Sequence, residues 1–200
     1  HAEYLAAGAD IVEANTFGVS RLKFGDEAAK VVRAGIRIAR EAVAQSGLEA
    51  YVAANIGPLG RLLKPVGDLD FEEAVTLFRE IAASCEEADL LLFETFTDVY
   101  ELKAALLAAK EVSDLPIVAM MTFDEAGRML TGADVTSAVT IAESLGAEAV
   151  GFNCGLGPEQ MLALLPSLRG VAGVPLSFNP NAGLPVVVEG QTQFRVSPQE

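Results

Sequence analysis

The sequence predicts an α/β protein, a (β/α)8 TIM-type barrel of which this chain carries a part. Three observations lead there. Strand-like and helix-like segments alternate along all 200 residues without a linker, the pattern of a parallel sheet with right-handed crossovers. The strand candidate DLLLFETF (residues 89–96) is apolar on both faces, as a strand covered on both sides must be. Polar residues recur at strand C-termini: Glu13 and Asn15, Asn55, Glu94, Thr122, Asn153 and Cys154, Asn179 and Asn181. A doubly wound sheet explains the alternation equally well. The tips favour the barrel, which brings them all to one mouth. Six strands do not close an eight-strand barrel, so two are expected outside this chain.

The elements follow in order. Residues 1–8 (HAEYLAAG) read as the end of a helix stopped by Gly8. With no initiator Met and no N-cap, the chain is expected to start inside an element, as a fragment. Residues 10–17 (DIVEANTF) read as a strand broken by Gly18. A helix over 26–45 places Ala28, Val31, Val32, Ile36, Ala39 and Val43 at helical spacing, and Gly47 ends it. Strand 51–56 is closed by Gly57-Pro58. Asp70 then caps a helix over 71–87, with Glu73 completing a capping box. Strand 89–96 leads to Asp98, which starts a helix over 99–112. Pro116 opens strand 116–123. The loop DEAGRMLTGAD precedes a helix over 135–145. The next strand, AVGFN (149–153), ends abruptly in Asn153-Cys154 and the turn GLGP before a helix over 159–170. A strand over 174–178, a turn over 179–183 and a β-hairpin over 185–196 around Glu189-Gly190 finish the chain.

Composition narrows the function. With 51% hydrophobic residues the chain can build one large core, so residues 1–200 are expected to be one domain. No apolar run approaches the roughly 20 residues that span a bilayer. The start lacks a signal-peptide pattern. Two cysteines, Cys85 and Cys154, make no disulfide framework and fit a reducing, cytoplasmic setting. A net charge of −14, from 28 acidic and 14 basic residues, argues against a nucleic-acid or anionic-membrane partner. Many of the acids sit on helix faces (Glu72, Glu73, Glu80, Glu86, Glu87), where solubility explains them.

The mouth itself offers Asn, Glu and one Cys, but no His, Lys or Arg. That disfavours a Schiff-base lysine and a Cys–His nucleophile pair. No glycine fingerprint or P-loop supports nucleotide binding. Phosphate at the GLGP turn would rest on helix N-terminal amides alone, leaving a lyase for phosphorylated ligands as a remote reading. Glu94 ends a very hydrophobic strand and so needs a partner. It is either a structural acceptor or the receptor for a ligand ammonium group. Asn153, Asn181 and Asn15 either contact an amino acid or hold turns. Cys85, inside IAASCEEADLL, reads as core packing.

At GFNCGLGP the residues resemble the homocysteine S-methyltransferase family, closest to the homocysteine-binding barrel of its cobalamin-dependent methionine synthases. YLAAGADIVEANTFG, AANIGPLG, LLFETFTDVYELKAAL, MTFDEAGRMLTGAD and PNAGLP carry the resemblance through nearly the whole chain, in the family's order. One departure is Ala14, where Thr is common. The resemblance implies methyl transfer to the thiolate of homocysteine, forming methionine, at a zinc held by three Cys. Cys154 matches the first of these ligands. The family's other two form an adjacent pair after the eighth strand, which this chain lacks. The six strands would then be barrel strands 2 to 7. Zinc deprotonates a thiol whose free pKa is about 8.5, and three Cys ligands leave a fourth position for the substrate sulfur. The resemblance further implies that Glu94 receives the homocysteine ammonium and that Asn153 and Asn181, with Asn15 and Asp98, line the site. It implies methylcobalamin as methyl carrier, on corrinoid-carrying and folate domains of the same polypeptide. S-methylmethionine or betaine as donor, and a non-catalytic partial barrel, are the alternatives.

Overall fold

The computed structural model describes residues 1–183, 186–194 and 196–197. Six strands, β1 (Ile11–Glu13), β2 (Tyr51–Ile56), β3 (Leu90–Phe96), β4 (Ile117–Met121), β5 (Ala149–Asn153) and β6 (Leu176–Asn179), form one sheet in chain order. Every neighbouring pair is parallel. Among the described residues β1 pairs only with β2, and β6 only with β5, so the sheet is an open, partial barrel. Its curl shows at the tips, where Asn153 on β5 reaches past β4 to bond Glu94 on β3.

The helices are α1 (Ala2–Ala6), α2 (Arg21–Phe24), α3 (Ala28–Ser46), α4 (Phe71–Ala82), α5 (Val99–Val112), α6 (Val135–Ser144) and α7 (Pro158–Arg169). Strands and helices alternate, and the larger core lies between them. Val52, Leu91, Phe93, Ile117, Val150 and Phe152 pack there with Ile36, Phe78, Leu102, Leu106 and Val139. The α5 alanines at 104, 105, 108 and 109 are fully buried and let that helix approach the sheet closely. A smaller cluster, Ala53, Leu90, Leu92 and Met120, fills the concave face. On that face the edge leaves Ile11 and Tyr51 exposed. Gly151 is needed where β5 meets β6, because a Cβ there would lie 1.7 Å from the Ser177 carbonyl oxygen.

Several expected boundaries move. The strand expected over 10–17 stops at Glu13. The Thr16 N–H folds back to the Ala14 carbonyl (2.8 Å), and the Thr16 hydroxyl donates to the Asn55 carbonyl (2.7 Å), turning the chain out of the ladder. The helix expected over 71–87 ends at Ala82. Ser84 and Cys85 switch to three-residue turns onto Ile81 and Ala82, which redirects the chain into β3. Asp70 sits at the N-cap of α4, but its side chain makes no cap bond. Lys64 Nζ holds that carboxylate at 2.9 and 3.1 Å instead, so the expected capping box does not form. Asp98 does cap α5, accepting from Tyr100 N at 2.9 Å. The hairpin is present as β7 (Val186–Val188) and β8 (Gln191–Gln193). Positive φ at Glu189 and Gly190 is what a tight hairpin turn requires. Pro185 and Arg195, at the ends of the expected hairpin, and Leu184-Pro185 of PNAGLP lie outside the described residues.

Candidate active site

The strand tips are tied into one hydrogen-bonded chain of side chains. It starts at Glu13, the last residue of β1. Asn55, next to last in β2, donates from Nδ2 to Glu13 Oε2 and to Glu94 Oε2, at 2.6 Å each. Asn153, the last residue of β5, donates from Nδ2 to the other Glu94 oxygen at 3.1 Å and to Thr95 Oγ1 at 2.7 Å. The Asn153 side-chain oxygen Oδ1 accepts from Thr95 N at 3.0 Å. Cys154 Sγ closes the series, 3.6 Å from Asn153 Nδ2 and 3.8 Å from Thr95 Oγ1. Thr122, just past β4, donates to the Asn153 main-chain carbonyl at 2.9 Å.

Local backbone geometry aims these groups. The β3–β4 register shifts between Phe93 and Phe96, an irregularity that re-aims the intervening side chains. Thr95 (φ 64°) and Cys154 (φ 55°) both lie in the left-handed region, which costs a non-glycine residue about 1–3 kcal/mol. The bonds through Asn153 hold both in place. Asn153 is buried, with 1% of its surface exposed.

Both Glu94 oxygens therefore accept from amides, and none of the ion pairs among the described residues involves Glu94 or Glu13. Burial, helped by the charge of Glu94, raises the Glu13 carboxyl above the usual range, and the Asn55 bond partly offsets this. Beside these groups a groove of about 410 Å3 is lined by His1, Tyr4, Glu13, Asn15, Phe17 and Asn55, among others.

The sequence-expected residues fall into three groups. Glu94, Asn153 and Cys154 come together. Asn15 is exposed on the groove, and Asn181 is half-buried, its N–H bonded to the Leu156 carbonyl at 2.9 Å. Neither side chain joins the Glu13–Cys154 series. Asp98 is buried, spent on capping α5 and on accepting the Thr131 hydroxyl at 3.1 Å. Three participants were not assigned a site role from sequence. Glu13 and Asn55 were visible only as polar tips, and Thr95 carried no signal. A fourth acid, Glu101, is buried and accepts Leu59 N at 2.7 Å. Burial, and to a lesser degree Asp98, push its carboxyl up to about 7 against that N–H bond. Its position three residues after an N-cap Asp was the available signal.

Cys154 has the chemistry of a zinc ligand, but the described residues do not complete a zinc site. They contain no group of three or more His, Cys, Asp or Glu able to hold a metal. Cys85 lies elsewhere, fully buried in the core, its thiol donating to the Ile81 carbonyl and pushed up to about 12 by burial. No helix among the described residues is long and apolar enough to cross a membrane.

An open parallel (β/α) barrel whose mouth joins a carboxylate, an amide and one thiol defines a class of strand-tip binding sites. Within that class, the family model for homocysteine S-methyltransferase matches residues 1–200, and the chain belongs to that family. Methionine synthases from Mycobacterium tuberculosis (strain ATCC 25618 / H37Rv) and Mycobacterium leprae (strain TN) are 34% and 33% identical to it over 215 aligned residues. The alignment takes in 100% of this chain but only 18% of each relative. Among solved structures, the metallated homocysteine methyltransferase MmuM from Escherichia coli superposes with a TM-score of 0.80 at 21% identity, covering 92% of this chain and 70% of that one. The apo form gives 0.73 at 23% identity, with the same coverage. This structural likeness speaks for a shared fold.

Proposed function

We propose that the protein carrying this chain transfers a methyl group to the sulfur of homocysteine, forming methionine, and that this barrel holds the homocysteine. The observation that carries the reading is the continuous Glu94–Asn153–Cys154 series at the strand tips of a chain belonging to this family. In this reading Glu94 accepts the substrate ammonium. Asn153 holds Glu94 and Cys154 in fixed relation, and Asn15 and Asn181 flank the amino acid. Asp98 acts from below, holding Thr131 and the start of α5. The homocysteine sulfur attacks the methyl carbon. A sulfur–carbon bond forms, the donor–methyl bond breaks with its electron pair left on the donor, and the thiol proton is lost.

Cys154 is offered as one zinc ligand, its partners coming from barrel strands beyond these 200 residues. The open edges at β1 and β6 agree with a fragment holding strands 2 to 7. The resemblance to cobalamin-dependent methionine synthases implies methylcobalamin as donor, brought by corrinoid-carrying and folate domains of the same polypeptide, in the cytoplasm. Isolated, these residues are expected to hold no stoichiometric zinc and to transfer no methyl group.

The test uses the full-length protein. Transfer of labelled methyl groups to homocysteine is expected, and Cys154→Ser is expected to lose both zinc, by metal analysis, and turnover. Retention of zinc and activity in that variant would falsify the assignment of Cys154.

A further inference from the structure

Two side chains approach the Cys154 sulfur, and of these only Thr95 has a proton to spare for it. Asn153 Nδ2 lies 3.6 Å away and Thr95 Oγ1 3.8 Å, both within hydrogen-bonding reach of sulfur. The Asn153 amide carries two N–H donors, and two oxygens lie nearer: Thr95 Oγ1 at 2.7 Å and Glu94 Oε1 at 3.1 Å. Oxygen is the stronger acceptor, so both N–H groups are spent there. The Thr95 hydroxyl accepts one of them on a lone pair and keeps its own proton for Cys154 Sγ. Thr95 N meanwhile donates to Asn153 Oδ1 at 3.0 Å. Thr95 therefore grips that amide at both ends and fixes which way round it lies.

Thr95 holds this place against its own backbone preference, since a β-branched residue at φ 64° is an outlier. Glycine would offer the same N–H to Asn153 without strain; what it lacks is the hydroxyl. The backbone of the thiol is fixed separately. Cys154 and Gly155 have φ of 55° and 69°, and a Cβ at Gly155 would lie 2.9 Å from Thr122 Cγ2 and 3.2 Å from the Phe123 carbonyl oxygen. That turn sets where Cys154 sits and leaves its sulfur to be oriented by a side chain. Both strands lie inside the sheet, β3 between β2 and β4, and β5 between β4 and β6, so the contact does not depend on an open edge. We propose that Thr95 is a positioning residue for Cys154, its hydroxyl proton holding the sulfur ready to ligate the metal. This rests on the reading of Cys154 as a zinc ligand. Donors to a ligand atom orient it and tune the metal, and a bond to ionised sulfur is charge-assisted.

The test uses the full-length protein and two readings, zinc affinity by chelator competition and the visible spectrum of the cobalt(II)-substituted form. Thr95→Val keeps the branched shape and removes the hydroxyl. It is expected to weaken zinc binding about 10- to 100-fold. The sulfur-to-cobalt charge-transfer band should move to longer wavelength, because sulfur relieved of a donor gives up electron density more readily. Thr95→Ser, which keeps the hydroxyl, is expected to restore both. Wild-type affinity and spectrum in Thr95→Val would overturn the proposal and leave Cys154 as a ligand. Equal losses in the Val and Ser variants would also overturn it, since the hydroxyl would then not be what matters. Full zinc retention in Cys154→Ser would overturn both readings. If Thr95→Val does not fold, Thr95→Ala, unbranched and less strained at a positive φ, decides by the same two readings.

Discussion

Two acidic centres lie seven residues apart in sequence, counted from Glu94 on β3 to Glu101 on α5, and they are satisfied by different kinds of partner. At the mouth, Glu94 and Glu13 are held by the side-chain amides of Asn55 and Asn153. At the start of α5, Asp98 and Glu101 accept the main-chain N–H groups of Tyr100 and Leu59, with the Thr131 hydroxyl added. Main-chain donors are fixed by the fold, so the second centre ties loops to a helix and is complete as it stands. Side-chain donors carry no such obligation. The first centre leaves both Glu94 oxygens on side-chain amides at the strand tips. A carboxyl bound by backbone supports the fold, whereas one bound by amides at an open mouth is available to a ligand.

The sharpest way to break this contrast is Glu94→Gln in the full-length protein. On the proposed reading, in which Glu94 receives the ammonium, loss of its charge should lower kcat/KM for homocysteine by about 100-fold, with the barrel's unfolding free energy moved by less than about 1 kcal/mol. A large loss of stability with little loss of activity would place Glu94 with the structural acids.

Glu101→Gln is the next largest and should behave in the opposite way. The folded carboxyl titrates near 7 against an ordinary 4.5. The folded state therefore binds the extra proton between those values, and stability falls as pH rises through that window. The displacement corresponds to about 3 kcal/mol, present in full below pH 4.5 and lost by about pH 7. Gln still accepts the Leu59 N–H but does not ionise. Urea unfolding followed from pH 4.5 to 7.5 should show the wild-type slope and a flatter profile in the variant, with KM unchanged. Identical slopes would mean that Glu101 does not supply the proton.

Much of this architecture was legible because local chemistry and fold agree. β2 spans Tyr51–Ile56 as expected, where an apolar run meets Gly57-Pro58. α5 spans Val99–Val112 because Asp98 supplies a working cap. The errors arise where a distant group intervenes. Thr16 leaves the strand for a carbonyl 39 residues away, and Asp70 gives up its cap to Lys64, six residues earlier. The site follows the same rule. Strand-tip position and residue type marked Glu94, Asn153 and Cys154 as candidates alongside Glu13 and Asn55, and the family resemblance alone assigned roles to the first three. The bridge from Asn55 to Glu13 and Glu94 spans 42 and 39 residues and depends on inter-strand register, which residue identities alone do not convey. Thr95 acquires its role only through a positive φ at an irregularity in β3.

Asp98→Asn gives the smallest expected effect and separates the two centres most finely, since Asp98 lies close in sequence to the mouth yet is bonded like a structural acid. Asn caps helices about as well as Asp, and its oxygen can still accept from Tyr100 N and the Thr131 hydroxyl. What disappears is a negative charge at a helix N-terminus, worth about 0.3–1 kcal/mol. The same charge helps hold Glu101 protonated. Its removal should let Glu101 ionise at a lower pH, moving the stability slope of the preceding experiment toward acid. KM for homocysteine should not change. A tenfold rise in KM, with the pH profile of unfolding unmoved, would assign Asp98 to the ligand site and dissolve the distinction between the two centres.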